Sequence, residues 1–416
     1  MYELIAMALA LALLVVLLHF KVKLGRSMVL AAVGLAVLLR VTPDQFRHAL
    51  VEEWNDKDKA LSQTTGYLFV MLVALITMVN VLATAMKETG VSQRLVSALH
   101  GLFRSRRLAL AAIPMMMGML PTPGGIMLSA PMVRDLGDHV GVGRSRLAAI
   151  NFLFRHQWEP VWPLFPAVTL VQGMLGISAF ALISHNIAIT AAGLLGGVVF
   201  LLFSGIPKKD EKSRPEGRFT DNIRNFTHAF WPIVVVAALY AAFDLPPAIG
   251  LFLAIIVFLS LHKVALNRWP GIFKSGVEFD FSLLIFGALL FKLDLEAGNA
   301  VEAVVRFFAE INLPDYLVIF FLPFLVAYLT GVTTATAAIT FPFLIPFIGT
   351  GPEAKVGLET LAFAGLVCGL LITPVHLCLA LSASYFKTSL RGIILKVLGP
   401  TLFVAAAGVL MAIFFG

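Results

Sequence analysis

Apolar residues in this chain run in long unbroken blocks, without the one-faced periodicity of a water-soluble helix or the alternation of a half-buried strand. A helix that crosses a bilayer needs roughly 20 apolar residues. Blocks at residues 2–20, 27–39, 66–86, 147–173, 177–204, 230–243, 248–261, 281–293, 361–386 and 394–415 predict ten membrane helices. Tilt or neighbouring helices must accommodate the shorter blocks. The first is too long for a signal-peptide core and lacks a small-residue cleavage site, so it is expected to remain as a helix.

Two further blocks are interrupted. Residues 108–136 contain Pro121-Thr122-Pro123-Gly124-Gly125, and residues 316–348 contain Thr330-Gly331-Val332-Thr333-Thr334. Each block has room for two short helices joined by an irregular tip. Irregular backbone at membrane depth survives only where protein or a water-filled cavity covers it. Both blocks therefore predict re-entrant hairpins that enter and leave on one side.

Charge supports that topology. Lys21, Lys23 and Arg26 follow the first block; Asp44, Glu52, Glu53, Asp56 and Asp58 follow the second; Arg94, Arg104, Arg106 and Arg107 follow the third. Arg134, Arg144 and Arg146 come after the first hairpin, on the side the chain had before it, which requires that the hairpin does not cross. The basic linker around Lys208, Lys209 and Arg224 then falls inside, as do Lys263, Arg268, Lys274, Lys387 and Arg391, while Glu296, Glu302, Glu310 and Asp315 fall outside. Basic residues mark the cytoplasmic face, so both termini are expected to be extracytoplasmic in a multi-pass protein of the inner, cytoplasmic membrane.

The two halves repeat one order: three spans, a hairpin, two spans. Matching landmarks are the quartets at Leu72 and Leu283 (211 residues apart), the hairpin tips at Pro121 and Thr330 (209), and Glu159-Pro160-Val161-Trp162 against Thr373-Pro374-Val375-His376 (214). The expected architecture is an all-α membrane protein of two inverted repeats, residues 1–204 and 230–416, separated by a cytoplasmic linker at 205–229. Each repeat would hold five transmembrane helices and one re-entrant hairpin. Inverted repeats with interrupted helices at corresponding positions are a design of secondary transporters, with the binding site near the bilayer midplane.

Composition agrees. Of 416 residues, 59% are hydrophobic and 13% charged, against about 25% charged in soluble domains. The net charge of +7 gathers in short inter-block segments, which argues for membrane topology and against nucleic acid as a partner. Cys368 and Cys378 share one apolar block, so no disulfide framework is expected. No P-loop sequence occurs, so energy for pumping would come from an ion gradient and not from bound ATP.

Chemistry should concentrate where membrane helices break. Freed N–H groups at half-helix N-termini favour anions and freed carbonyls favour cations. Gly124 and Gly125 permit close approach of a substrate to backbone, and Thr122, Thr330, Thr333, Thr334 and Thr336 offer hydroxyls, with Thr122 and Thr334 as candidate Na+ contacts. Pro and Gly alone would turn such hairpins, but their matched placement favours a site. The strongest signal is Asn151-Phe152-Leu153-Phe154-Arg155-His156-Gln157-Trp158-Glu159-Pro160. Intramembrane Arg, His and Glu are costly and mark function. Arg155 is expected to face an anionic substrate, or alternatively to pair with Glu159 four residues on or snorkel to the interface; Glu159, His156 and, near Thr373, His376 are candidate proton or ion-coupling groups. His185 and Asn186 are expected to make interhelical hydrogen bonds.

The interrupted-helix layout resembles the ion-transporter superfamily. Within it, Pro121-Thr122-Pro123-Gly124-Gly125 and Asn151 to Pro160 resemble an uncharacterised ten-span family labelled domain of unknown function 401. The superfamily resemblance implies a homodimer with a scaffold and a mobile transport domain that moves as an elevator. Its sodium-coupled carboxylate members carry a Ser-Asn-Thr motif at each tip, where this chain has only Thr122 and the Thr330–Thr336 cluster. The expected function is secondary transport of a small, anionic, carboxylate-like solute coupled to Na+ or H+, with membrane lipid and a second copy as partners and no resident cofactor. A cation/proton antiporter and a passive channel remain alternatives. An intramembrane enzyme is more remote, because no His and carboxylate grouping visible in the sequence completes a three-ligand metal site.

Overall fold

The computed structural model describes every residue except 1, 57–59, 104, 120–125, 140, 205, 207–217 and 311–312. The described residues are helical, without a strand. The N-terminal half contributes α1 (Tyr2–His19), α2 (Leu24–Leu39), α3 (Pro43–Asn55), α4 (Thr65–Glu88), α5 (Val91–Leu102), α6 (Arg106–Gly118), α7 (Ile126–His139), α8 (Arg144–Arg155), α9 (Pro166–Leu175) and α10 (Ala179–Gly197). The C-terminal half contributes α11 (Phe219–Phe243), α12 (Pro247–Leu261), α13 (Trp269–Ser275), α14 (Phe279–Ala297), α15 (Ala300–Glu310), α16 (Asp315–Thr330), α17 (Thr333–Ile348), α18 (Val356–Ile372), α19 (Leu377–Phe386) and α20 (Leu390–Phe415). A π-helical stretch, Val198–Phe203, prolongs α10.

Helix starts follow from capping chemistry. Thr64 accepts a hydrogen bond from Tyr67 N to begin α4, Ser178 from Ala181 N to begin α10, and Ser389 from Gly392 N to begin α20. Six described helices or helical stretches are long and apolar enough to cross a membrane: α1, α4, α10 with its π extension, α11, α18 with α19, and α20. Taken with α3, from which it is bent by 110°, α2 makes a seventh. The sequence predicts ten spans. Helix α12 is apolar but short, and α14 carries Lys292, Asp294 and Glu296 in its last turns, which removes both from a length-and-composition count. Large apolar side chains of α20, such as Leu402, Ile413 and Phe414, remain exposed, as lipid contact requires.

Four shorter helices were not anticipated. The segment with Asp44, Glu52 and Glu53 is α3, opened by a Thr42/Gln45 capping box. Amphipathic α5 and α15 occupy matched places before the two hairpins, and α13 precedes α14. The described end of the expected linker is also helical, since α11 begins at Phe219.

Packing is reciprocal between the halves. Helix α2 lies on α14 as α4 lies on α12; α5 meets α11 as α15 meets α1; α7 meets α19 as α17 meets α9; and α10 packs on α20. Helices α6 to α10 and α16 to α20 pack on one another, α1, α2, α4, α11, α12 and α14 do likewise, and α14 with α17, α4 with α9 and α10 with α11 join the two groups.

Candidate functional site

Both expected hairpins are present as helix pairs, α6 with α7 and α16 with α17. The first tip, Pro121, Thr122, Pro123, Gly124 and Gly125, lies outside the described residues. In the second, α16 stops at Thr330 because Gly331 adopts φ +66°, a left-handed conformation that a side chain disfavours. Its carbonyl is thereby turned toward the break between α18 and α19.

Each half also carries an interrupted span. Helix α8 ends at Arg155, a single 3-10 turn covers His156–Trp158, and α9 begins with Pro166. Helix α18 ends at Ile372, and Thr373-Pro374-Val375-His376 leads into α19. The two breaks are tied to their hairpins in the same way. Trp158 Nε1 donates to Met115 O at 2.8 Å and Trp162 Nε1 to Met119 O at 3.0 Å, both at the end of α6. Thr373 Oγ1 donates to Tyr328 O at 2.5 Å and His376 Nδ1 to Gly331 O at 2.7 Å, both at the end of α16. Carbonyls that the helix ends would orphan are thus satisfied by side chains of the adjacent break.

Arg155 is 5% exposed and donates to Met117 O at 2.8 Å, so its guanidinium is buried within the protein. Gly118 allows this approach: a Cβ there would fall 2.2 Å from Arg155 O. The helix ends at Arg155, so Glu159 is carried on the turn beyond it and not on the same helical face. Glu159 Oε1 lies 3.8 Å from His156 Nε2. His156 Nδ1 donates to Phe152 O at 2.6 Å, and its Nε2 faces His376 Nε2 at 3.0 Å.

Arg155, His156, Glu159, Thr330, Gly331, Thr333, Thr334, His376 and Cys378 line one cavity of about 470 Å³. Other parts of the wall come from Asn80 of α4, Glu278 and Asp280 at the start of α14, and Leu18 and Leu24. Three expected site residues are not in this lining and make hydrogen bonds within the protein. Asn151 accepts from Ser129 Oγ at 2.6 Å and donates to Ile126 O, pinning α7 to α8. Thr336 bonds Thr330 and Val332 O inside the second hairpin, and Thr373 bridges its own break. Asn186 behaves as expected, donating to Pro160 O at 3.1 Å and to Glu359 Oε1 at 3.0 Å across helices.

Ligand atoms of His156, His376 and Cys378 all lie within 4.8 Å of one another, which is a three-ligand grouping of the kind the sequence did not reveal. His156 precedes His376 and Cys378 by more than two hundred residues, and the three meet only where the two breaks converge. Buried charges were also missed, Lys292 and Glu359 among them. Lys292 Nζ bonds Glu53 Oε1 at 2.8 Å, Thr65 Oγ1 at 3.1 Å and Glu296 Oε1 at 3.2 Å, far from the breaks. Glu359, fully buried, was hidden because the apolar block was taken to begin at Leu361. A charged residue within a turn of an apolar block is the signal that would have found both.

The long apolar helices define a multi-pass α-helical membrane protein. The chain belongs to the family described as "Protein of unknown function (DUF401)", whose model matches residues 3–415. No functionally curated protein matches it. Among solved structures it is similar to the YdaH transporter of Alcanivorax borkumensis, described as having an unusual topology, with 13% identity, 90% of this chain and 89% of that chain covered, and a TM-score of 0.62. At that identity the likeness is one of fold.

Proposed function

We propose that the protein is a secondary active transporter that moves a small anionic solute across the cytoplasmic membrane, driven by a Na+ or H+ gradient. The observation that carries this is the convergence of two similarly tied breaks on one cavity that contains the buried Arg155 guanidinium. A buried cation with open space beside it is a binding group for an anion.

The reciprocal helix packing and the matched break-to-hairpin bonds support two inverted repeats, each of five spans and one re-entrant hairpin. The mutual packing of α6 to α10 and α16 to α20 supports a mobile transport unit against a scaffold, with elevator movement. The same features support placing the chain in the ion-transporter superfamily, where a homodimer is expected. With basic segments inside, the ends of α1 and α14 that border the cavity at Leu18 and Glu278 are cytoplasmic, so the conformation is inward-open and both termini are outside.

Glu159, Glu278 and Asp280 on the same wall favour a second reading, a cation/proton antiporter. Proteoliposome counterflow separates these. A carrier of anions gives saturable exchange of labelled carboxylates that depends on Arg155. An antiporter gives cation-dependent proton flux without it. Non-saturable flux lacking counterflow would instead identify a channel and sink the transporter proposal.

A further inference from the structure

We propose that His156, His376, Cys378 and Glu159 form a binding site for a soft divalent transition-metal ion of the Zn2+ class at the junction of the two breaks. The inference begins with tautomers. His156 Nδ1 is 2.6 Å from Phe152 O and His376 Nδ1 is 2.7 Å from Gly331 O. A carbonyl oxygen only accepts, so both Nδ1 atoms carry the proton, and in the neutral rings both Nε2 atoms present bare lone pairs. Those two Nε2 atoms face each other at 3.0 Å. Two lone pairs at that distance repel unless a proton or a metal ion lies between them. Imidazoles that bind a metal through one nitrogen while donating the other N–H to a backbone carbonyl are the usual outer-shell arrangement of metal sites.

The other donors are in place. Cys378 Sγ lies within 4.8 Å of both ring nitrogens. Glu159 Oε1 is 3.8 Å from His156 Nε2, and Glu159 Oε2 is buried without a hydrogen-bond partner. Zn2+ takes N at about 2.0–2.1 Å and S at about 2.3 Å in a tetrahedron, which sets ligand-to-ligand edges of roughly 3.3–3.6 Å. The observed separations straddle that range, so small side-chain rotations gather four donors on one ion.

Chemistry selects the class. Two imidazoles and a thiolate suit Zn2+ or Co2+ and disfavour Na+, Mg2+ and Ca2+, which prefer oxygen. Binding replaces the Cys378 S–H bond with a metal–sulfur bond and releases the proton to water in the cavity. The thiolate and the Glu159 carboxylate then balance the dication. Arg155, whose side chain touches Cys378, remains as a positive neighbour, and Glu278 and Asp280 line the same cavity. The site stands on geometry alone and needs no transport activity.

The full-length protein in detergent, stripped with a chelator, is titrated with Co2+. One Co2+ per chain is expected, with the visible bands of a tetrahedral ion and a near-ultraviolet thiolate-to-cobalt band, both displaced by Zn2+. Cys378→Ser should abolish the thiolate band and weaken binding at least about tenfold, and His376→Ala should weaken it comparably. Cys368→Ser should change nothing, since Cys368 bonds Thr401 O elsewhere. Metal-free Cys378→Ser should melt with the metal-free wild type, while Zn2+ raises the melting temperature of the wild type by more than that of the variant. Absence of stoichiometric Co2+ from folded wild type, or a thiolate band that persists in Cys378→Ser, overturns the proposal. Either result leaves the counterflow experiment unaffected, so the two proposals fail separately.

Discussion

His156 and His376, 220 residues apart in the chain, bring their Nε2 atoms to 3.0 Å of each other, each ring held from behind by a carbonyl of its own half. This contact joins the two interrupted spans, and the chemistry proposed above depends on it.

Arg155 is expected to be needed for uptake and not merely for assembly. Arg155→Ala should reduce carboxylate counterflow by more than about tenfold while the protein still elutes as a folded species. Arg155→Lys should restore little, because a point charge does not reproduce the planar donor fork. Its contact with Met117 O implies a stability loss of about 1–3 kcal/mol in the Ala variant, readable in thermal unfolding.

Helix α6 and helix α8 meet at Gly118, where a Cβ would press on Arg155 O at 2.2 Å. Gly118→Leu should destabilise by about 1–3 kcal/mol through overpacking and lower uptake by displacing Arg155. Gly331→Ala, at φ +66° with His376 N 3.0 Å from the added carbon, should cost about 1–2 kcal/mol. Melting curves of both variants in one detergent give the comparison.

The buried pair of Lys292 and Glu53 should behave as a unit. Lys292→Met alone leaves Glu53 buried without its cation and should cost about 3–5 kcal/mol. Lys292→Met with Glu53→Gln should recover most of that loss. A double-mutant cycle from unfolding midpoints measures the coupling, and additive losses would contradict it.

The break-to-hairpin bonds predict paired effects. Trp158→Phe removes the donor to Met115 O, and Thr373→Val removes the donor to Tyr328 O. Each should lower stability by about 1–3 kcal/mol, and hydrogen exchange should quicken at the last turn of α6 in the first variant and of α16 in the second.

Much of this was legible in the sequence because burial in lipid leaves a direct mark. Apolar blocks located the long helices, and Pro160 and Pro374 located the breaks, since proline removes a donor that a membrane helix needs. Arg155, His156, Glu159 and His376 stood out because ionisable groups are rare in such blocks, and all four line the cavity. The short helices α3, α5 and α15 escaped notice because their amphipathic segments resemble charged loops when only hydrophobic blocks are counted. Cys378 was passed over because a thiol is apolar enough to belong in a membrane helix, and only its distance from two imidazoles gives it meaning. Thr336, Thr373 and Asn151 bond within the protein outside the cavity lining, and a hydroxyl or amide that satisfies backbone looks the same in sequence as one that faces a solute.

The matched positions of Trp162 and His376 suggest how such a pair could arise. Both ring N–H groups hold the carbonyl at a hairpin end, Met119 O in one half and Gly331 O in the other. An indole has a single nitrogen and spends it on that bond. An imidazole makes the same bond and keeps a second nitrogen free. If the halves descend from one ancestral segment, exchanging one ring for the other in a single copy would have added a ligand without loosening the joint, leaving the first copy mechanical and making the second chemical.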